Sequence, residues 1–415
     1  MESDRDVLII GGGVIGVCSA YYLASMGIKA TLIEKGEIAS GCSYGNGGLI
    51  VPSHSVPLAS PGALGDGLRW LLDPETPFYI KPRLNMDLFN WLLRFVLASR
   101  RSVMLRSLPI LRDLLFASGV LYAELANIAG FDFGYKGKGS LWVCLSQGRL
   151  EAEKKETLLF ERFNIPVQMM DQGEVHELEP ALLPGVMGGV FYPRDGHIDS
   201  ARFVVGLAEK AQGLGVQVWT KTEAMGFESA QGRITRVHTT RGALSPKQII
   251  LAAGSWSPYV VRELKLRIPI QAAKGYSVTL ENTDVAPRLP LLFGEARVVV
   301  NPLENALRLA GTLEMAGMDF SFNSRRVNTI RRSSSAYLPG LDTAKVIEIW
   351  HGLRPCTPDG LPILSRSNDF SNLIIAAGHA MLGMSLGPIT GKLVAQLVGE
   401  EQTDVDISPF GVSRF

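Results

Sequence analysis

The sequence has little of what marks a secreted, membrane-spanning or nucleic-acid-binding protein. Its 415 residues carry 41 basic and 40 acidic side chains, and the net charge of +1 argues against a nucleic-acid partner. No stretch of about 18 uncharged apolar residues predicts a transmembrane helix. The first six residues lack the basic start and the long apolar stretch of a signal peptide, so we expect a cytoplasmic protein.

Cysteine is also scarce, with Cys18, Cys42, Cys144 and Cys356 only. These residues form no CxxC pair, and none has the spacing to a histidine that is typical of a zinc site. We therefore expect reduced thiols, no disulfide framework and no bound metal ion.

Glycine, in contrast, is abundant, and its 44 residues cluster in short loops. Residues 6–10 form an apolar run that predicts a strand buried on both faces. Gly11-Gly12-Gly13-Val14-Ile15-Gly16 follows at once and opens a helix that ends near Met26. A second strand over 29–33 ends at Glu34. This is a β-α-β unit of about 30 residues, the size of a dinucleotide-binding motif.

Each part of this unit has a physical role in holding a dinucleotide. Gly11 allows the tight turn, Gly13 lets the backbone approach the pyrophosphate, and Gly16 allows close packing of helix on strand. The helix N-terminus offers free N–H groups to the phosphates. Glu34 can accept hydrogen bonds from ribose hydroxyls. FAD and NAD share this motif, and the small, polar loop over 40–48 favours the longer cofactor, FAD.

The rest of the chain predicts two interleaved domains. Further buried strands are expected at 248–253 and 374–377, near the middle and the end of the chain. A mostly helical block over 64–130 lies between the N-terminal β-α-β unit and 248–253, and alternating, antiparallel-type strands over 266–325 lie between 248–253 and 374–377. A last helix is expected over 387–398.

Four segments make the sequence similar to the FAD-dependent amine oxidoreductases of the D-amino acid oxidase superfamily, and above all to bacterial D-amino acid dehydrogenases. The resemblance covers nearly the whole chain. The segments are 7–48, the Pro-, Trp- and Leu-rich stretch 61–91, 249–256 with Lys274-Gly275-Tyr276-Ser277, and 352–362 with 378–383.

The resemblance implies an α/β fold in which a Rossmann-like FAD-binding domain is interleaved with an α+β substrate-binding domain carrying a mostly antiparallel sheet. We predict the FAD-binding domain at 1–85, 190–265 and 345–415. The substrate-binding domain takes 86–189 and 266–344.

The resemblance also implies where FAD binds. Ala224 would touch the adenine through its backbone, and the N-terminus of the last helix would face the flavin edge that carries negative charge in reduced flavin. The predicted FAD-binding residues are Gly11, Gly13, Val14, Ile15, Gly16, Glu34, Lys35, Ser40, Asn46, Gly47, Gly48, Leu49, Ala224, Ala253, Gly254, Leu382, Gly383 and Met384. The position of the cysteine that binds FAD covalently in sarcosine oxidase-like members is Gly352 here, so we expect non-covalent FAD.

Three residues are candidates for the chemistry. Arg354 matches the family's carboxylate-binding arginine, whose planar guanidinium can hold an amino-acid carboxylate with two parallel bonds. Tyr276 is either a residue of the substrate pocket or a core aromatic. His379 is either a base or, as we favour, a packing residue, while His54, His197 and His351 are expected to be structural. Met381 replaces an arginine of glycine oxidase-like members, which disfavours that activity.

These residues predict an FAD-dependent dehydrogenase that oxidises a D-amino acid, with D-proline or a hydroxy-D-proline as candidate substrates. Segments 195–199 and 311–314 resemble the hydroxyproline-type members. Electrons would pass to a quinone or another respiratory-chain carrier. The alternatives are an oxidase that uses O2, and a flavin subunit that requires partner subunits; an NAD-dependent enzyme is disfavoured because the chain has only one complete dinucleotide motif.

Residues 86–106 have two interpretations. They are apolar, with basic side chains at Arg94, Arg100, Arg101 and Arg106. An amphipathic basic helix can lie on an anionic membrane, which would place the protein on the inner face of the cytoplasmic membrane. The alternative is a core helix with solvated arginines.

Overall fold

The computed structural model describes residues 7–62, 78–281 and 286–415. Its helices are α1 Val14–Ser25, α2 Met86–Ala98, α3 Arg101–Ala126, α4 Gln147–Arg162, α5 Gln172–Leu178, α6 Ser200–Gly213, α7 Ser257–Val260, α8 Ser324–Ser334 and α9 Gly383–Val398. Its strands are β1 Val7–Ile10, β2 Ala30–Ile33, β3 Leu49–Ile50, β4 Phe78–Ile80, β5 Ser140–Cys144, β6 Gln168–Asp171, β7 Gly188–Tyr192, β8 Gly196–His197, β9 Gln217–Trp219, β10 Ala224–Ala230, β11 Arg233–Thr239, β12 Gly242–Leu244, β13 Gln248–Leu251, β14 Gln271–Glu281, β15 Leu291–Phe293, β16 Val298–Pro302, β17 Ala306–Met315, β18 Val346–Cys356, β19 Ile363–Arg366 and β20 Leu373–Ala377.

A six-stranded sheet contains the predicted β-α-β unit. Its order is β19-β20-β13-β1-β2-β9, and every neighbouring pair is parallel except β19 with β20. All four residues of β1 are buried, as expected for a parallel strand covered on both faces. Helices α1, α6 and α9 contribute to the core on one face. The predicted Rossmann-like sheet is therefore confirmed.

A nine-stranded sheet forms the second layer of the molecule. Its order is β18-β14-β17-β16-β15-β5-β7-β6, with β4 added beside β17. Only the β15–β5 and β17–β4 pairs among them are parallel, so the sheet is mostly antiparallel, as predicted. A separate hydrophobic core that includes Tyr276, Val278 and Leu309 covers one of its faces.

Strands of the two sheets alternate along the chain, and the interleaved α/β fold is confirmed. The domain boundaries remain a prediction. β4 and β18 lie in segments predicted for the FAD-binding domain, yet both belong to the nine-stranded sheet. On this ground we propose that 78–80 and 346–356 be grouped with the substrate-binding domain.

The predicted helical block is correct for α2 and α3 but not for its beginning. Phe78–Ile80 is a strand because it pairs with Leu313–Met315 of β17. Within the Pro-, Trp- and Leu-rich stretch 61–91, residues 63–77 lie outside the described residues. The last helix begins at Gly383, four residues earlier than predicted.

Within the described ranges, no helix has both the length and the apolar character that crossing a bilayer requires. In the same ranges, no group of three or more His, Cys, Asp and Glu side chains could hold a metal ion. The four cysteines are free thiols.

Candidate active site

A cavity of about 700 Å³ lies at the carboxyl ends of β1, β2, β13 and β20, and strand β18 of the other sheet lines its opposite side. Ligands of open α/β sheets bind at this edge of the sheet. The cavity therefore lies where the sequence predicts a dinucleotide.

The three motif glycines are required for different reasons. Gly11 has a φ of +117°, and a Cβ there would lie 2.5 Å from the carbonyl oxygen of Ala252. A Cβ at Gly16 would overlap the carbonyl oxygen of Gly11. A Cβ at Gly13 would meet, among the residues that the structure describes, only the hydroxyl of Ser43, at 3.4 Å. Packing of the protein thus explains Gly11 and Gly16, whereas Gly13 leaves open space that a bound cofactor would fill.

Glu34 ends β2 with its carboxylate turned toward the glycine loop. One oxygen accepts a hydrogen bond from the N–H of Gly12 at 2.7 Å, and the other from Gly36 at 2.8 Å. Each carboxylate oxygen has more than one acceptor position, so both can still accept from ribose hydroxyls. Glu34 lines the cavity, which fits its predicted role.

The structure brings most of the predicted cofactor residues to the cavity wall. Those that line it are Gly11, Gly13, Val14, Ile15, Glu34, Lys35, Ser40, Asn46, Ala224, Ala253, Gly254, Gly383 and Met384. Gly16, Gly47, Gly48, Leu49 and Leu382 are not on the wall. Gly48, for example, has a φ of +72° and accepts from the N–H of Ile198, which fixes the loop that carries Asn46.

The N-terminus of α9 points into the cavity through Gly383 and Met384. The first N–H groups of a helix have no partner within it and favour negative charge. Pro388 has no N–H for the Met384 carbonyl, and the Tyr122 hydroxyl donates to that carbonyl instead, at 2.6 Å. This bond ties α9 to α3 beside the cavity.

Arg354 is not on the cavity wall. It lies on β18 between the wall residues Leu353 and Pro355, and its side chain is half-buried. Nη1 donates to the carbonyl oxygen of Thr312 at 2.8 Å. No carboxylate of the described residues forms an ion pair with Arg354. Its charge acts on the nearby Cys42 thiol, whose pKa is raised by burial and lowered in part by this guanidinium. Most of its N–H donors are therefore available to an acidic ligand.

Tyr276 is not on the cavity wall. It is 1% exposed in the core beneath the nine-stranded sheet, and its ring contacts Phe322 and His351. Burial raises the pKa of its hydroxyl to about 12. Side chains alternate along a strand, so Tyr276 and Gly275, which faces Arg354, lie on opposite faces of β14. This location favours the core interpretation.

His379 lines the cavity, but it is only 3% exposed, and Nε2 lies 3.1 Å from the Thr390 hydroxyl. Burial lowers the pKa of His379 to about 3, so the ring is neutral at pH 7 and is a weak base. This environment favours the packing role.

Several cavity residues were not identified from the sequence. Trp256 and Phe320 stack with ring centroids 6.1 Å apart, and the Lys35 ammonium lies 4.2 Å above the Trp256 ring. His351, expected to be structural, lines the cavity with Nε2 3.1 Å from the carbonyl oxygen of Phe320. Cys42 and Ser43 also line it. Phe320 could not be identified from the sequence, because the loop that follows β17 contains no recognisable motif.

The comparisons with known proteins agree with this geometry. The family described as "FAD dependent oxidoreductase" matches residues 6–397. A D-amino acid dehydrogenase of Bradyrhizobium diazoefficiens is 31% identical over 99% of this chain and 98% of its own length. A D-amino acid dehydrogenase of Allorhizobium ampelinum is 30% identical over 99% and 98% of the two chains.

Solved structures show the same fold. A glycine oxidase from Geobacillus kaustophilus has a TM-score of 0.80 at 23% identity, covering 99% of this chain and 98% of its own. An L-proline dehydrogenase from P. horikoshii has a TM-score of 0.77 at 20% identity, covering 100% and 98%. At these identities the likeness concerns the fold alone.

An FAD fits the residues present. The open space at Gly13, the carboxylate of Glu34 and the N-terminus of α9 match a pyrophosphate, a ribose and the anionic edge of a flavin, respectively. The cavity volume is within the usual range for a cofactor or drug-sized ligand, about 300–1,000 Å³.

Proposed function

Because this chain belongs to the FAD-dependent oxidoreductase family, we propose that it dehydrogenates a D-amino acid. The predicted resemblance to amine oxidoreductases of this family and the predicted cofactor, FAD, are confirmed by the family match. The D-amino acid as substrate is supported by two relatives of that name, at 30% and 31% identity over nearly the full chain.

The observation that carries the substrate class is the unpaired charge of Arg354. A half-buried guanidinium without a carboxylate partner among the described residues is complementary to a ligand that carries one. When Arg354 holds the carboxylate of an amino acid, the position of the substrate α-carbon in the cavity is fixed. Such positioning supplies much of the rate enhancement of a transfer reaction.

FAD held by the glycine loop, Glu34 and the N-terminus of α9 would supply a hydride acceptor, flavin N5, for the hydrogen on the substrate α-carbon. The nitrogen lone pair forms the C=N bond as the hydride leaves, and the nitrogen loses its proton to solvent. Water then converts the imine to a 2-oxo acid and ammonia, whereas a proline-type substrate gives a cyclic imine. Neither His379, with a pKa of about 3, nor Tyr276, with a pKa of about 12, is a base suited to neutral pH.

The test is an anaerobic titration of the purified holoenzyme, followed by its flavin absorbance. We expect D-amino acids to bleach the flavin band and their L-forms not to. D-proline and hydroxy-D-proline belong in the panel as the narrower substrate prediction. Bleaching by L-forms only, or by no amino acid, would contradict the proposal.

The same sample distinguishes the acceptors. We propose a quinone or a related carrier, so admitting oxygen should reoxidise the flavin slowly and a soluble quinone quickly. Fast reoxidation with stoichiometric peroxide would instead identify an oxidase. If the isolated chain failed to reduce any dye with a D-amino acid, the flavin-subunit alternative would gain support.

A membrane contact through α2 would bring the site to a lipid-soluble acceptor. Met86, Phe89 and Leu93 are 71%, 60% and 53% exposed on this helix, and Val96 and Leu97 are exposed as well. Residues 78–106 carry six basic side chains and one acidic one, in a chain whose net charge is +1. An exposed apolar face flanked by positive charge is typical of helices that lie on anionic bilayers.

The inner face of α2 connects this surface to the site. Trp91 donates from its indole nitrogen to the carbonyl oxygen of Cys356 at 3.0 Å, two residues beyond Arg354. We therefore propose peripheral attachment to an anionic membrane surface through α2, which corresponds to the inner face of the cytoplasmic membrane in the sequence prediction.

Co-sedimentation with vesicles tests this attachment. We expect binding to vesicles of phosphatidylglycerol and phosphatidylcholine, and weaker binding to phosphatidylcholine alone. The double variant Phe89→Glu/Leu93→Glu should abolish it. Leu158→Glu, at a 63% exposed position of α4, is the matched control and should bind as the wild type does. Equal binding by the double variant would contradict the contact.

A further inference from the structure

Strand β17 contains a strained residue at the position nearest to Arg354. Thr312 has a φ of +62°, and it is the one β-branched residue among the described non-glycine residues with positive φ. Positive φ is an outlier for a β-branched side chain, and such strain persists where the surrounding structure fixes it, often at functional sites.

The strain belongs to a β-bulge. Lys274 of β14 pairs with Glu314, and Tyr276 pairs with Gly311, so β17 uses three residue steps where β14 uses two. The extra residue lies between the end of the β16 pairing at Gly311 and the start of the β4 pairing at Leu313. Bulges redirect backbone groups. Here the carbonyl of Thr312 accepts from Nη1 of Arg354 at 2.8 Å.

Arg354 is also positioned by Gly275 of β14, whose missing side chain leaves space for the guanidinium. A Cβ at Gly275 would overlap Nη1, Cζ and Nη2 of Arg354, so the guanidinium lies against the backbone of Gly275. The φ of Gly275 is not positive. This position therefore requires glycine for the space above it and not for its backbone conformation.

We propose that Gly275 and Thr312 are positioning residues for substrate binding. Together they fix the plane of the Arg354 guanidinium: Gly275 sets its height above β14, and the Thr312 carbonyl holds one of its five N–H donors. The remaining donors keep the orientation that two parallel bonds to a carboxylate demand. This inference depends on the proposed role of Arg354 as the carboxylate-binding residue.

Gly275→Ala tests the support that the empty space on β14 gives to Arg354. The added methyl displaces the guanidinium, so we expect the dissociation constant of the D-amino acid in anaerobic flavin reduction to rise at least about tenfold. FAD content and thermal stability should change little in comparison. Gly148→Ala is the matched control, because a Cβ at Gly148 in α4 meets nothing within 4 Å.

The same substitution in an Arg354→Ala background shows whether it acts through Arg354. We expect Gly275→Ala to have no further effect there. A similar loss of affinity with and without Arg354 would overturn the inference, as would wild-type affinity in the single variant. If Arg354→Ala itself left substrate affinity unchanged, the proposed function of Arg354 would fail instead, so the two failures are distinguishable.

Thr312→Gly tests the support that the Thr312 carbonyl gives to Arg354, and it replaces Gly275→Ala if that variant does not fold. Glycine accepts the positive φ and keeps the carbonyl, but its backbone is less restricted. We expect a folded, FAD-containing enzyme whose substrate dissociation constant rises by about threefold or more, only when Arg354 is present. Wild-type affinity in Thr312→Gly would overturn the role of Thr312.

Discussion

The cofactor side and the substrate side of the cavity are constructed differently. On the cofactor side, one β-α-β unit supplies the glycine loop and Glu34. Gly11 and Gly16 face backbone atoms of Ala252 and of Gly11 itself, which cannot move aside. On the substrate side, one side chain from β18 lies on β14 and bonds to Thr312, 42 residues away in sequence. Substitutions at Gly11 or Gly16 should therefore damage the fold, whereas substitutions on the substrate side should change affinity alone.

The largest effect is expected from Gly16→Ala. The methyl would overlap the carbonyl oxygen of Gly11, so α1 must move away from β1. We expect a loss of about 3 kcal/mol in the free energy of unfolding, together with loss of FAD. Denaturant unfolding and the flavin absorbance of the purified protein measure both.

Gly213→Ala is the control for this change, because a Cβ at the end of α6 meets nothing within 4 Å. It should leave stability unchanged or slightly higher, since alanine is the better helix former. A Gly16→Ala protein that kept its FAD and its stability would show that the cofactor side is more adaptable than its backbone contacts indicate.

Arg354→Ala should have the opposite pattern. Removing the guanidinium leaves a substrate carboxylate unpaired, so we expect substrate affinity to fall about 100-fold with FAD bound and the fold intact. The ratio of kcat/KM between variant and wild type, with FAD content measured in parallel, is the readout. Unchanged affinity would remove Arg354 from the substrate site.

This difference also explains what the sequence could predict. Gly11, Gly13, Gly16 and Glu34 lie within about 30 residues of one β-α-β unit, so their spacing alone indicated the cofactor. Arg354 was identified by resemblance only. Phe320 and the bulge at Thr312 carry no local signal, because strand pairing and the ion pairs of Asp319 with Lys81 and Lys274 determine where they lie.

Gly13→Ala sharpens the comparison within the cofactor side. Among the described residues, only the Ser43 hydroxyl lies within 4 Å of the added methyl, at 3.4 Å, so stability should change by less than about 0.5 kcal/mol. FAD affinity should fall about tenfold, because the methyl occupies the space left for the pyrophosphate. Flavin fluorescence after dilution of the holoenzyme measures the release. Loss of stability equal to that of Gly16→Ala would contradict this distinction.

The smallest effect concerns the pH dependence of stability on the cofactor side. Burial lowers the pKa of His379 to about 3, below the value of 6.5 expected in the unfolded chain. Between these two pH values the unfolded chain binds a proton at His379 that the folded chain does not bind. The free energy of unfolding is therefore unaffected by this group above pH 6.5 and decreases as pH falls below that value. His379→Gln should reduce the slope between pH 5 and 6.5 by about 1 kcal/mol per pH unit, because the unfolded histidine is half protonated at pH 6.5 and almost fully protonated at pH 5. Burial lowers the pKa of His54 to about 4, so His54 should contribute a similar pH dependence of the free energy of unfolding, and His54→Gln is the parallel variant.

If denaturant unfolding gave the wild-type slope for His379→Gln, the ring would be accessible to protons in the folded protein, and the cofactor side would be less rigid than its packing implies.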